Sequence, residues 1–194
     1  HPKGVRGNAD AEVGDRIFLG KPLGVGGLSA ALKKDELSAE GYAQMIASTT
    51  KLNTAGPDLA ALDGVHALTD VTAFGLAGHA LEIARGAGVQ VQLEWARVPM
   101  LPDVRALAAQ GHITGASGRN WAGYGDEVAL AEGFPMIDQA LLTDPQTSGG
   151  LLVTCAPESV DEVLAVFHRH GFDRAAEIGE VRANPGDLSP LVVR

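Results

Sequence analysis

The sequence predicts an α+β fold, layered in the manner of an α/β protein, with one mixed β-sheet carrying packed helices. Three observations predict it. Short apolar runs of strand character alternate with segments of helical period along the whole chain. Hydrophobic residues make up 45% of 194 residues, enough for one good core, and 25 glycines supply many turns. No internal repeat or low-complexity segment interrupts the pattern. One domain is therefore expected over residues 15–194, preceded by a polar linker or arm over residues 1–14.

Taken in order, Arg16 to Leu19 is a strand candidate after the turn residues Gly14-Asp15. Lys21-Pro22-Leu23-Gly24-Val25-Gly26-Gly27 reads as a glycine-rich loop, and Leu28 to Lys33 as a helix after it. Ser38 to Leu52 is a second helix, with Met45 and Ile46 among its apolar positions, and Pro57 to Leu62 a shorter one. Val65 to Leu68 alternates as a strand does. Thr72 is placed as an N-cap, and the apolar residues Ala73, Leu76, Ala77, Ala80, Leu81 and Ala84 recur at helical spacing. His79, Glu82 and Arg85 form the polar stripe of that helix, and Gly86 and Gly88 fit its end.

Val89 to Leu93 is the next strand, and Asp103 to Gln110 a helix closed by Gly111. Gly111 to Gly125 is polar and glycine-rich and reads as a long loop, of the kind that is functional or disordered. Met136 to Leu142 is a short helix and Leu151 to Cys155 a strand. Ser159 to His170 carries the clearest helical pattern, with Val160, Val163, Leu164 and Phe167 on one face, a capping box from Ser159 and Glu162, and a stop at Gly171. Ala176 to Val181 and Leu191 to Val193 complete the strands.

Charge and composition exclude some functions. The formal net charge is −9, which argues against a nucleic-acid partner, since phosphate backbones need a basic surface. An anionic small substrate stays open, because bound Mg²⁺ joins carboxylates to phosphates. Cys155 is the single cysteine and has no internal partner, so a reducing cytoplasm is the natural compartment. No run approaches the roughly 18 apolar residues of a membrane span, and His1 to Gly14 does not read as a signal peptide. The His at position 1, where a Met is usual, hints at a trimmed chain. The six histidines show no metal-ligand spacing; His168 and His170 stand two apart and cannot share a helix face. Cys155, in an apolar strand, reads as a buried filler.

Four places have residues suited to chemistry. Asp70, next to Thr69, stands where a strand gives way to a helix. An oxygen ligand there can hold Mg²⁺ against phosphates, or the residue can simply cap the helix. In Asp144-Pro145-Gln146-Thr147-Ser148-Gly149-Gly150, Asp-Pro starts a turn and Gly149-Gly150 permits a close approach. It is not a Walker loop, and both a ligand loop and a tight connection remain open. The Lys21 to Gly27 loop enters a helix and either cradles a phosphate or packs. Arg119, beside Asn120, either clamps a phosphate or is solvated.

Together and in order, these pieces resemble the selenophosphate synthetase family. The likeness is carried by Lys21 to Gly24, Ala67 to Gly78 (above all Leu68-Thr69-Asp70-Val71-Thr72-Ala73-Phe74-Gly75), Arg119-Asn120 and Asp144 to Gly150, and spans essentially residues 8–182. The resemblance implies a fold like the carboxy-terminal domain of aminoimidazole ribonucleotide synthetases, partly ferredoxin-like. It implies that ATP, selenide and water give selenophosphate, AMP and phosphate, with Mg²⁺ as cofactor. It also implies a missing amino-terminal domain holding the reactive Cys or selenocysteine, the catalytic Lys, further metal-binding Asp residues and the homodimer contact. No catalytic residue then falls in this half, and the isolated chain is expected to be inactive. Asp70 matches a metal-binding carboxylate of the family. Thr69, Arg119, Asn120, Asp144, Gln146, Thr147, Ser148, Gly149 and Gly150 are candidates to meet substrate or phosphate. Ala73 stands where the family usually has Gly, and Gly20 where it usually has Thr. The alternatives are a related ATP-using synthetase or thiamin-phosphate kinase-like enzyme, and a stand-alone binding module that lost catalysis.

Overall fold

The computed structural model describes residues 5–186 and 188–194. Seven strands form one mixed sheet: β1 (Arg16–Leu19), β2 (Val65–Asp70), β3 (Val89–Leu93), β4 (Val128–Leu130), β5 (Leu151–Cys155), β6 (Ala176–Ala183) and β7 (Leu191–Val193), in the order β2-β5-β1-β6-β3-β7-β4. β2, β5, β1, β6 and β3 pair antiparallel in turn, and β7 lies parallel to both β3 and β4. The mixed sheet expected from sequence is present, with every predicted strand in it.

Side chains on a strand alternate between faces, and the core divides accordingly. Ile17, Leu19, Leu152, Val89, Val91 and Leu93 face one side, where they meet α1 (Val25–Leu32), α4 (Gly75–Ala87), α5 (Val104–Ala109) and α7 (Met136–Leu142) through Leu28, Leu76, Leu81, Val104 and Leu142. Phe18, Val65, Val153 and Cys155 face the other side. There α3 (Gly56–Ala60) and α8 (Val160–Arg169) contribute Leu59, Val163 and Phe167. α2 (Ala39–Thr50) lies outside α1 and buries only Gly41 and Met45. Burial of Cys155 pushes its thiol up to about 12, which suits its reading as core filling.

Of the expected arm, residues 1–4 lie outside the described residues. Beyond them the chain runs beside β2: the Gly7 carbonyl accepts from Leu68 N at 2.9 Å, and Arg6 donates to the Ala60 carbonyl at 3.2 Å.

Several expectations fail, each for a visible reason. Gly111 to Gly125 is not a loop: α6 (Gly115–Tyr124) occupies most of it, opened by Thr114, whose hydroxyl accepts from Ser117 N at 3.2 Å. Arg119 and Asn120 are therefore helical. Thr72 does not cap α4, which starts at Gly75 after Phe74. His79 is not on a polar stripe; it is buried between Thr72 Oγ1 at 3.0 Å and Glu82 Oε2 at 3.1 Å. Ser159 precedes α8, but its side chain accepts no capping bond, because a 3-10 turn over Pro157–Ser159 leads into the helix. α1 begins at Val25 and so takes Gly26 and Gly27 from the supposed loop, and β4 was not anticipated.

Candidate functional site

Asp70 is the last residue of β2 and pairs with Leu151 of β5. This register puts the end of the Asp144 to Gly150 segment beside it. The Gly150 carbonyl accepts from Val71 N at 2.9 Å, and the Thr72 carbonyl accepts from Gln146 N at 2.9 Å. Asn120 joins from α6, its amide donating to the Ala73 carbonyl at 2.9 Å and the Thr143 carbonyl at 3.0 Å. Three stretches far apart in sequence thus converge on one end of the sheet, the arrangement by which α/β folds assemble ligand sites.

Within this neighbourhood the predicted residues divide into two groups. Asp144 and Gln146 point inward. Gln146 Oε1 accepts from Gly24 N at 3.0 Å and Val25 N at 3.2 Å, and Asp144 Oδ2 accepts from Gly27 N at 3.3 Å and Gln146 Nε2 at 3.0 Å. The first backbone donors of α1 are thereby satisfied from within the chain. A Cβ on Gly26 would lie 2.2 Å from Asp144 Oδ1, so carboxylate and backbone are in close contact. The N-terminus of α1 is occupied by the protein's own acceptors, and the Lys21 to Gly27 segment is a packing element. Burial raises the Asp144 carboxyl to about 7, against bonds from Gly27, Gln146 and Gly26 that lower it.

Gly149 and Gly150 also serve packing. A Cβ on Gly149 would stand 2.0 Å from the Val71 carbonyl oxygen, and one on Gly150 would stand 2.2 Å from Lys21 N. The close approach expected of this pair is to the chain's own backbone. Ser148 takes a left-handed φ of 50°, and its carbonyl accepts from Lys21 Nζ at 2.6 Å.

Lys21, named in sequence only as the start of a loop that cradles a phosphate or packs, is buried to a degree that the sequence reading did not anticipate. It is only 3% exposed, and its ammonium also donates to the Lys51 carbonyl at 2.6 Å and the Ser48 carbonyl at 3.3 Å. Burial lowers its pKa, Lys51 lowers it further, and Asp70 acts the other way. The available signal was a lysine between Gly20 and Pro22 at the end of an apolar strand, where a solvated charge is out of place.

The second group faces solvent: Asp70, Thr147 and Arg119 are exposed, and Thr69 is half-buried. The Asp70 carboxylate has no hydrogen-bond or ion-pair partner among the described residues. Since α4 starts five residues later, it does not cap that helix either. Arg119 lines a cavity of about 300 Å³ with Phe74, Glu82, Asn120 and Tyr124. The Tyr124 hydroxyl donates to the Phe74 carbonyl and fixes the turn after Asp70. As a hard, unengaged oxygen donor, Asp70 fits Mg²⁺, which takes one or two carboxylates and fills its remaining positions with water and phosphate. Among the described residues no group of three or more His, Cys, Asp or Glu could hold a metal. No helix of the described residues is long and apolar enough to cross a membrane.

The fold and this site define a class. Residues 12–188 match the family described as AIR synthase related protein, C-terminal domain, and the chain belongs to that family. Curated relatives are more specific. The chain is 66% identical to the selenide, water dikinase of Burkholderia pseudomallei over 93% of its own length and 51% of the relative's. It is 60% identical to that of Pseudomonas straminea, covering 94% and 51%, and 47% identical to that of Rhizobium meliloti, covering 98% and 55%. The chain thus spans about half the length of the curated relatives it matches. Among solved structures it is similar in fold to Escherichia coli HypE, with a TM-score of 0.69 at 22% identity over 97% of this chain and 48% of that one. It is likewise similar to the thiamine-monophosphate kinase of Stenotrophomonas maltophilia, with a TM-score of 0.64 at 18% identity over 97% and 52%.

Proposed function

We propose that residues 15–194 are the carboxy-terminal domain of a selenide, water dikinase. Completed by its amino-terminal half, this enzyme would convert ATP, selenide and water to selenophosphate, AMP and phosphate in the cytoplasm, as a homodimer. The observation that carries the reading is the 66% identity with a protein of that name over nearly the whole chain. The site supports it: an exposed carboxylate stands at a strand end, on a backbone braced by Asn120, Gly150 and Tyr124.

In this reading Asp70 would be one of the residues that hold Mg²⁺, which would supply charge neutralisation at phosphate. Arg119 and Thr147 face solvent and are available as donors for phosphate oxygens. Asp144, Gln146, Gly149, Gly150 and Asn120 hold the frame without touching substrate. Phosphoryl transfer depends on positioning and charge neutralisation, and one carboxylate with one arginine supplies only part of that. The isolated chain is therefore inactive.

The test is reconstitution. Fused to the amino-terminal half of the Burkholderia relative, the chain should release AMP from ATP only when selenide is present, and neither half should do so alone. Absence of selenide-dependent AMP from a folded fusion would sink the proposal.

A further inference from the structure

A second cavity, of about 400 Å³, opens on the far side of Lys21 between α2 and the turn after α8. Its walls include Gln44, Ser48 and Lys51 from α2, together with Phe172 and Arg174. Leu101 and Pro102 add an apolar side. In a chain of net charge −9, three cations converge here, Lys21, Lys51 and Arg174, against one lining carboxylate, Asp173.

None of the three cations has an ion-pair partner among the described residues. Lys21 has spent its three N–H groups on carbonyls and adds charge alone. Lys51 donates once, to the Gly171 carbonyl, and is held 4.3 Å from the centre of the Phe172 ring. Arg174 donates once, to the Met100 carbonyl. Lys51 and Arg174 thus keep free donors while their positions are fixed, and preorganised donors in a cleft are what an oxyanion needs.

We propose that this cavity binds a small organic anion, its phosphate or carboxylate held by Lys51 and Arg174. The volume is that of a metabolite site and is far larger than a bare ion needs. Leu101, Pro102 and Phe172 receive the carbon part. This site is distinct from the Asp70 rim and does not depend on the selenide reading.

The experiment is an amide NMR titration of the 194-residue chain with glucose 6-phosphate, citrate and inorganic phosphate at constant ionic strength. An organic anion should shift Gln44, Ser48, Lys51 and residues 171–174 and leave Asp70 unmoved. Lys51→Met and Arg174→Met should each weaken binding about fivefold or more, and Gln44→Glu should do so by repulsion. Thermal melting of each variant checks that it stays folded. Three results would overturn the proposal: no shift with any of the anions at about 10 mM, beyond the weakest useful affinity; equal binding by all variants; or inorganic phosphate binding as tightly as both organic anions.

Discussion

Gln146 Oε1 lies 3.0 Å from the backbone nitrogen of Gly24, joining two segments 122 residues apart. The same oxygen accepts from Val25 N at 3.2 Å, so one side chain caps α1 in place of a local residue. Gly24 itself offers no side-chain cap. Gln146→Leu keeps the volume and leaves two buried donors unpaired. We expect a loss of about 2–6 kcal/mol, from roughly 1–3 kcal/mol for each of the two stranded groups, read by denaturant unfolding. A loss below about 1 kcal/mol would mean that water reaches the helix end.

Asp144 makes the same junction sensitive to pH. Its folded pKa of about 7 lies above the ordinary 3.8, so between these values the folded state binds more protons than the unfolded one. Its contribution to stability therefore falls as pH rises from about 4 to about 7, by at most about 1.4 kcal/mol per pH unit, and is fully lost above that window. Asp144→Asn should flatten this part of the profile. Unfolding curves at several pH values across the window, for parent and variant, check it; parallel profiles would contradict it.

Lys21 is the latch of the Asp144 to Gly150 segment. Lys21→Met removes the donor from three carbonyls at once, on Ser48, Lys51 and Ser148. Stability should drop by about 2–4 kcal/mol, and hydrogen exchange over residues 146–150 should speed up more than in β3. Uniform acceleration across the sheet would instead point to simple global destabilisation.

Six of the seven strands and the α4 and α8 helices were legible because their apolar periods are strong and the sheet buries both faces of β5. α6 was not. Residues 111–125 hold five glycines, and the helix buries only Ser117 fully, with Trp121 and Tyr124 partly covered. The i, i+4, i+7 spacing of those three, after a Thr114 cap, was the faint signal present. The candidate residues were named from separate motifs, and which of them pack against the chain's own backbone was hidden. Asp144 and Gln146 fit both a ligand loop and a tight connection, and only their partners, more than a hundred residues away, decide for packing.

Two glycines should answer oppositely to alanine. Gly149→Ala puts a methyl against the Val71 carbonyl, 2.0 Å from its oxygen, and should cost about 3 kcal/mol through backbone displacement. Gly118→Ala, exposed in α6 with open space around its Cβ position, should gain about 0.5–1 kcal/mol from helix propensity. Melting of both variants checks the pair, and a destabilised Gly118→Ala would show that the helical assignment of residues 115–124 is wrong.

Asp70 gives the sharpest test of the functional reading. Its carboxylate is exposed, ends β2, and has no partner among the described residues. The fold therefore has little use for its charge, and Asp70→Asn should change stability within about 0.5 kcal/mol, as ordinary surface substitutions do. Helix capping is not an alternative explanation, because α4 begins at Gly75. Asparagine keeps the size and one acceptor oxygen but loses the negative charge that Mg²⁺ favours. In the fusion with the amino-terminal half, the variant should lose at least roughly tenfold in selenide-dependent turnover, about 1.4 kcal/mol of transition-state stabilisation. Part of the loss should return at high Mg²⁺ if the defect lies in metal binding. Steady-state kinetics across a Mg²⁺ titration, with melting as the control, separates the outcomes. Normal turnover at ordinary Mg²⁺ would remove Asp70 from the site, whereas a large loss with an unchanged melt places the carboxylate in the chemistry and not in the scaffold.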